Sequence, residues 1–352
     1  MSCSQARPSS SRGIQLLSNP KYEVFPVLMQ ILSHLEPVAN YALFGSNKRR
    51  RSDASSLKQQ EEVVDTTIHT RSPFFQAFDQ LLEYIWKSHD DPQDPSEQQL
   101  MERFVQTLKE ACDSLTDNPD IMELYTLIVS LLMFGHHELE NEFCGEITTT
   151  LGVCPVCTFS KHPCVEKVPK LQASTQLWKN FETTGIMDFV VTESIDEYSC
   201  QVCSTVYNVL KSDFVSKPPE ILVLQLDRFN FNFETFTVQK SHTLFPLNVK
   251  APLSLRYYGQ QGALIQQYDL VAIANHEGQG VNGVYSCCFW NTASHKWYTC
   301  HGNQLPIPFT QNLEYLISPA NYLLFFTKKQ AQEKTSFLRQ FGNTDISFTF
   351  SE

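Results

Sequence analysis

Four cysteines in two Cys-x-x-Cys turns, Cys154-Pro155-Val156-Cys157 and Cys200-Gln201-Val202-Cys203, are the residues whose types and spacing point most directly to chemistry. Each turn sets two thiolates on one tight bend, and four thiolates at about 2.3 Å complete a closed tetrahedral zinc site of the structural kind. The same residues could instead be buried apolar thiols, but two independent pairs in a reducing compartment favour zinc. Between Cys157 and Cys200 lie 42 residues, too many for a compact zinc ribbon, so the turns are expected at the tips of two long hairpins clasped by the metal. Cys144 and Cys164 are near enough to compete as ligands, yet neither has a partner at the same spacing, and both read as core or surface thiols. The other reactive types are Cys287 and Cys288 beside Tyr285, His276, and the pair His136-His137 with Cys144. Alternation along a strand turns one of Cys287 and Cys288 into the core. Ordinary surface or core placement is the simpler reading of His136, His137 and Cys144.

The elements that must position these residues divide the chain in two. Val27, Leu28, Ile31, Leu32, Leu35, Val38, Ala39 and Ala42 recur at helical spacing between Val24 and Leu43, with Pro26 in a first turn and an interruption near Pro37. Helical periodicity returns over Pro73–Trp86, Glu97–Leu115 and Asp120–Met133. After Phe143 the texture changes to short β-prone runs: ITTTLGVC, DFVVTESI, YSCQVCSTVYNVL, PEILVLQLDRFNFNFETFTV, YDLVAIANHEG, GVYSCCFWN and NYLLFFTKK. Phe229, Phe231, Phe233 and Phe236 alternate like a strand face and read most simply as core, with part left to line a partner groove. A mostly α first half and mostly β second half give an α+β fold. Residues 1–12 read as a flexible N-terminus, the polar stretch 45–72 as an exposed insertion, and 330–352 as a C-terminal tail.

Composition bounds the function. With 352 residues, 42% apolar and 12% aromatic, the chain can bury one large core or two modest ones. A net charge of −11 excludes a general nucleic-acid footprint, and the basic cluster Lys48–Arg51 is local, a nuclear localisation signal or a solvated loop in about equal measure. No apolar run approaches the roughly 18 residues of a membrane span, and MSCSQARPSSSRG has no apolar leader segment, so a cytoplasmic and/or nuclear protein is expected. There the eleven cysteines stay reduced, as metal ligands and free thiols.

From Gly13 to Lys328 the order of features resembles the ubiquitin-specific protease family, papain-like deubiquitinases with thumb, palm and fingers. GIQLLSNPKYEVFPVLMQ is similar to the family's opening box through Gly13, Ile14, Asn19, Tyr22 and, two residues off the usual spacing, Gln30. NPDIMELY keeps Asp120 and Glu123 of a second box, and KPPEILVLQLDRFNF matches a third through Pro218, Pro219, Leu222, Leu226, Arg228 and Phe229. YDLVAIANHEG, GVY, WYTCHG and NYLLFF then answer the family's C-terminal pattern in order. The resemblance implies a papain-like cysteine protease fold with zinc-tipped fingers: a thumb over about 13–140, fingers over about 141–215 and a palm over about 216–329. It also implies that His276, in the family's N-H-x-G turn, is a structural residue.

Carried over position by position, the resemblance puts Lys21 where the family has its nucleophilic cysteine, Val284 where it has the histidine base, His301 where it has the orienting acid, and Leu16 where it has the oxyanion-hole asparagine. A protonated lysine does not attack at neutral pH, and an amide formed from the neutral amine would not turn over. Valine carries no proton, and loss of one oxyanion donor alone costs about a hundredfold or more in rate. The expectation is a pseudoprotease: a non-catalytic binder of ubiquitin or a ubiquitin-like protein, or a scaffold for other protein subunits, with an RNA-processing assembly suggested by analogy to inactive relatives. The alternative is an active deubiquitinase with a relocated site at Cys287, Cys288 or His276. No direct nucleic-acid or membrane contact is expected.

Overall fold

The computed structural model describes residues 22–40, 72–86, 96–135, 137–278, 283–302 and 304–329. Lys21, Leu16, His136, the stretch 45–71 and both termini lie outside them. The thumb opens with helix α1 (Val24–Ser33), every residue of which is buried, as its all-round apolar sequence requires. A short helix α2 (Glu36–Asn40) follows. The break falls at His34 and Leu35, whose amides close tight turns on Ile31 and Leu32. Pro37 has no N–H to offer, and its ring would meet the carbonyl of Ser33, so a continuous helix cannot pass.

Helix α3 (Pro73–Trp86) begins with proline at its first position, where the missing N–H has no cost. Helix α4 (Glu97–Ala111) is started by a reciprocal cap in which Ser96 Oγ accepts from the Gln99 amide and Gln99 Oε1 accepts from the Ser96 amide. It stops four residues short of the periodicity-based end at Leu115, because Cys112 turns extended ahead of Asp113 and Ser114, which favour turns over helix. Helices α5 (Ile121–Gly135) and α6 (His137–Phe143) complete the thumb, with Asp120 Oδ1 accepting the Met122 amide at the start of α5. Among the described residues no helix is long and apolar enough to cross a membrane.

Strands β1 (Gly145–Leu151), β2 (Cys164–Val168), β5 (Val191–Ser199) and β6 (Val206–Lys217) form the finger sheet in the order β2-β1-β6-β5. The palm is a nine-stranded sheet. It is built from β3 (Leu171–Ala173), β4 (Ile186–Asp188), β7 (Ile221–Leu226), β10 (Leu253–Gly259), β11 (Gly262–Glu277), β12 (Val284–Asn291), β13 (Lys296–His301), β14 (Ile307–Pro308) and β15 (Asn321–Lys328). Its main path runs β14-β13-β12-β11-β15-β7-β3, with β10 on β11 and β4 on β10. The finger range therefore encloses a palm segment, since β3 pairs in parallel with β7 and β4 with β10. Helix α7 (Thr175–Thr184), which the β-rich reading of the second half passed over, links them. Its signals are local: Ser174 Oγ caps the Leu177 amide, and Gly185 closes the end at φ 68°.

The unbroken apolar runs of β7 and β15 reflect burial on both faces. Val223, Ala272, Ala274, Cys287, Phe289, Leu323 and Phe325 pack against the thumb helices. Their sequence neighbours Leu222, Leu224, Ile273, Cys288, Leu324 and Phe326 face a second core with Trp178 of α7, Phe245 and Leu255. A two-stranded hairpin, β8 (Phe229–Asn232) and β9 (Thr237–Lys240), stands apart from both sheets. Contrary to the core reading of its aromatic run, Phe231, Phe233 and Phe236 are exposed and only Phe229 packs inward.

Candidate functional sites at the finger tip and the palm strand ends

Hairpins β1–β2 and β5–β6 carry the Cys-x-x-Cys turns at their ends and bring them together. The sulfur atoms of Cys154, Cys157, Cys200 and Cys203 all lie within 4.8 Å of one another. Cys154 to Cys203 is 3.7 Å and Cys157 to Cys200 is 3.6 Å, far from disulfide length and close to the roughly 3.8 Å edge of a tetrahedron of thiolates around zinc. Cys144 and Cys164 are not in the cluster. Cys144 is buried with its thiol on Met133 Sδ at 3.2 Å, and burial, then Glu140, push it up to about 11; Cys164 is exposed on β2.

The two turns repeat one another bond for bond. Cys154 N donates to Phe159 O at 2.9 Å and Thr158 N to Cys154 O at 3.0 Å; Cys200 N donates to Thr205 O and Ser204 N to Cys200 O, both at 2.9 Å. Thr158 at φ 59° and Ser204 at φ 58° hold the same left-handed position just after the second cysteine. Non-glycine residues enter that region at a cost, so its repetition marks a bend that both turns require. Hydrogen bonds from Thr205 draw Cys203 down to about 6. At Cys157 the Phe159 backbone lowers the thiol, but desolvation and its bonds to the other three cysteines carry it up to about 12. The cluster thus shares protons unevenly, and a divalent soft cation would replace them.

Val284 and His301, which the sequence resemblance sets at the base and orienter positions, fall on neighbouring strand ends. Val284 opens β12 opposite Glu277, and His301 closes β13 opposite Ser286. Both share a face parity and are diagonal neighbours, about 7–8 Å apart at Cα. Val284 is 52% exposed and His301 is exposed. Gly283 is required beside them: a Cβ there would lie 2.4 Å from Glu277 O and from His276 Nε2. His276 is fully buried and packs edge-on against Tyr285 and Phe229. Asn321 Nδ2 donates to Asn275 Oδ1 at 2.7 Å, and Asn275 Nδ2 to Ser286 Oγ at 3.2 Å. The Tyr285 hydroxyl donates to Asp120 Oδ2 at 2.7 Å; burial, then Asp120, hold it well above the usual phenol range.

The alternative nucleophiles are poorly placed. Cys287 and Cys288 are both buried, and burial pushes both thiols up, away from the thiolate that attack requires. Cys287 lies opposite Cys300 in the thumb-side core, and Cys288 lies in the second core beside Thr299. Lys21 and Leu16, just ahead of α1, are outside the described residues.

A helical thumb on a mixed palm sheet with a four-cysteine finger tip is the papain-like architecture of deubiquitinases. The model of the ubiquitin carboxyl-terminal hydrolase family matches residues 25–326, and the chain belongs to that family. It is 23% identical over 348 residues to ubiquitin carboxyl-terminal hydrolase Usp2 of Drosophila melanogaster, covering 92% of this chain and 36% of that protein. To ubiquitin carboxyl-terminal hydrolase 3 of Homo sapiens it is 27% identical over 158 residues, covering 42% of this chain and 28% of that protein. The chain thus spans 36% and 28% of these two relatives' lengths. Among solved structures it shares its fold with the SAGA Ubp8/Sgf11/Sus1/Sgf73 deubiquitinase module bound to ubiquitin aldehyde, at TM-score 0.67 and 18% identity over 92% of this chain and 71% of the other. The same module bound to monoubiquitin gives TM-score 0.66 at 17% identity, with the same coverage.

Proposed function

We propose that this chain is a non-catalytic member of its family, a pseudoprotease that binds ubiquitin or a ubiquitin-like protein or holds protein subunits together. The observation that carries the reading is Val284: the strand register, Gly283 and the asparagine network that would present a base are in place, and the side chain presented has no proton to move. Lys21 supports it from sequence, since a protonated lysine at the nucleophile's position does not attack and an amide formed from its neutral amine would not turn over. The burial of Cys287 and Cys288 weighs against a relocated active site.

Zinc on Cys154, Cys157, Cys200 and Cys203 fits the sulfur geometry, and a cytoplasmic or nuclear setting keeps those thiolates reduced. The solved neighbours were determined with ubiquitin and with the subunits Sgf11, Sus1 and Sgf73, which supports protein partners for this chain. An RNA-processing assembly rests on the family analogy alone. The test is a titration of isotope-labelled mono-ubiquitin with the purified chain, followed by NMR, beside a fluorogenic ubiquitin turnover assay. Specific shifts without turnover are expected; turnover that survives Cys287→Ser and Cys288→Ser would overturn the non-catalytic reading.

A further inference from the structure

Where thumb, fingers and palm meet, a cleft of about 630 Å³ lies between the end of α6, the root of β6, the approach to β7, β10 and the end of β15. Neither candidate site uses it, and its volume is that of a small-ligand pocket. Its walls are held in place. The Lys328 amide donates to the Glu220 carbonyl at 2.8 Å, Lys328 Nζ pairs with Glu220 Oε1 at 2.7 Å, and the Tyr268 hydroxyl donates to the Pro219 carbonyl. Lys217 Nζ pairs with Glu146 Oε1 at 3.5 Å. Glu142 is the exception. It is half-buried in the cleft wall, and among the described residues its carboxylate takes part in no ion pair or hydrogen bond. Burial disfavours its charge, and Glu220 repels it more than Lys328 attracts it.

We propose that this cleft binds an organic cation with an apolar stem, an alkylguanidinium or alkylammonium group that is free or carried on a basic side chain. Charge sets the sign. Glu142 and Glu220 line the cleft and Glu146 is bonded to its Lys217, so three carboxylates face the two ammonium groups of Lys217 and Lys328, both already paired. An anion would have to displace Glu146 or Glu220, whereas a cation meets the one carboxylate left over. A neutral apolar ligand would desolvate Glu142 further and give nothing in return. A bare metal ion is unsuited, because among the described residues only the finger-tip cysteines bring three or more ligating side chains together. Tyr257 lines the same cleft. A ring beside a carboxylate holds an ammonium or guanidinium group by its charge and its stem at once.

This site does not depend on the non-catalytic reading above. Isothermal titration calorimetry of the full chain tests it with three probes: agmatine, acetyl-arginine amide, and butylurea as the uncharged counterpart. Saturable binding of at least one of the two cations is expected, with none of butylurea. Agmatine alone would mark the ligand as a free small cation, and acetyl-arginine amide, with or without agmatine, as a basic side chain; either result upholds the site. Glu142→Gln should weaken the binding about tenfold or more, since it removes the charge-assisted bond. Lys217→Gln should tighten it about two- to threefold by removing a like charge from the wall, a gain that a folding defect would not produce. Equal binding of butylurea, no saturation by either cation at millimolar concentration, unchanged affinity in Glu142→Gln, or weaker binding in Lys217→Gln would overturn the proposal.

Discussion

The finger tip and the palm strand ends are both assembled from strand ends and tight turns, yet they differ in what has been kept. At the tip the four clustered sulfurs lie on two turns, each with two cysteines, one left-handed residue and the same pair of backbone bonds. At the palm the brackets remain, in Gly283, Asn275, Asn321 and the β12–β13 register, while Val284 and His301 occupy the ends they aim. Support and chemistry are therefore separable. On the proposed reading, a bend that holds a structural metal could not lose a ligand without losing the bend, whereas strands that present a base would keep their fold with valine in its place.

The largest effect that would break this contrast lies at the tip. Metal analysis should give about one zinc per chain, and Cys154→Ser should abolish it and lower Tm by roughly 10 °C or more. A zinc-free, equally stable wild type would reduce the cluster to buried thiols. Next in size is Arg228→Met. This guanidinium is almost fully buried and serves four carbonyls, so its removal should cost about 3 kcal/mol, read from urea unfolding.

On the palm side, Val284→His should leave Tm within about 2 °C because the position is exposed, and on the non-catalytic reading proposed above it should leave turnover absent. Restoring the whole set, Leu16→Asn, Lys21→Cys, Val284→His and His301→Asp, should give measurable ubiquitin hydrolysis; its failure would show that the palm has lost support as well as chemistry. The smallest effect is at Glu142, whose carboxyl is raised by burial and then by Glu220. A raised carboxyl contributes stability below its unfolded pKa and loses it as pH rises through the folded value. Glu142→Gln should thus lift Tm slightly at pH 7, and the gain should vanish in acid where both side chains are neutral.

Much of this was legible in sequence because the signals are local or repeated. Paired cysteines predict a cluster, and β-prone runs such as the one containing Ile221–Leu226 predict strands. The interruption near Pro37 follows from covalent geometry. What escaped was set by tertiary context. Helix α7 is ten residues long and buries only Trp178, too little to stand out in a β-rich stretch, although its Ser174 cap and Gly185 stop were readable. Alternation in Phe229–Phe236 reported a strand only over Phe229–Asn232; Phe233 and Phe236 lie in the turn, and the pattern did not say which side would be covered, since the hairpin leaves both sheets. The membership of Leu171–Asp188 in the palm depends on parallel pairings to β7 and β10, which no local pattern encodes.

Those parallel pairings also shape how the chain reaches its fold. The palm joins strands drawn from Leu171 to Lys328, and closing such distant contacts is slow, during which apolar edges such as ILVLQL and NYLLFF stay open to self-association. The finger strands β1 and β6 are just as far apart along the chain as many palm partners, pairing Thr149 with Asp213. Zinc on the proposed cluster, bridging residues 154 and 203, would close most of that loop in advance and shorten the search for the β1–β6 register. The clasp would thereby act as a timing device: fingers that zip early would bring Lys217, Pro218 and Pro219 to the palm, so that β7 could start its pairing from a fixed point.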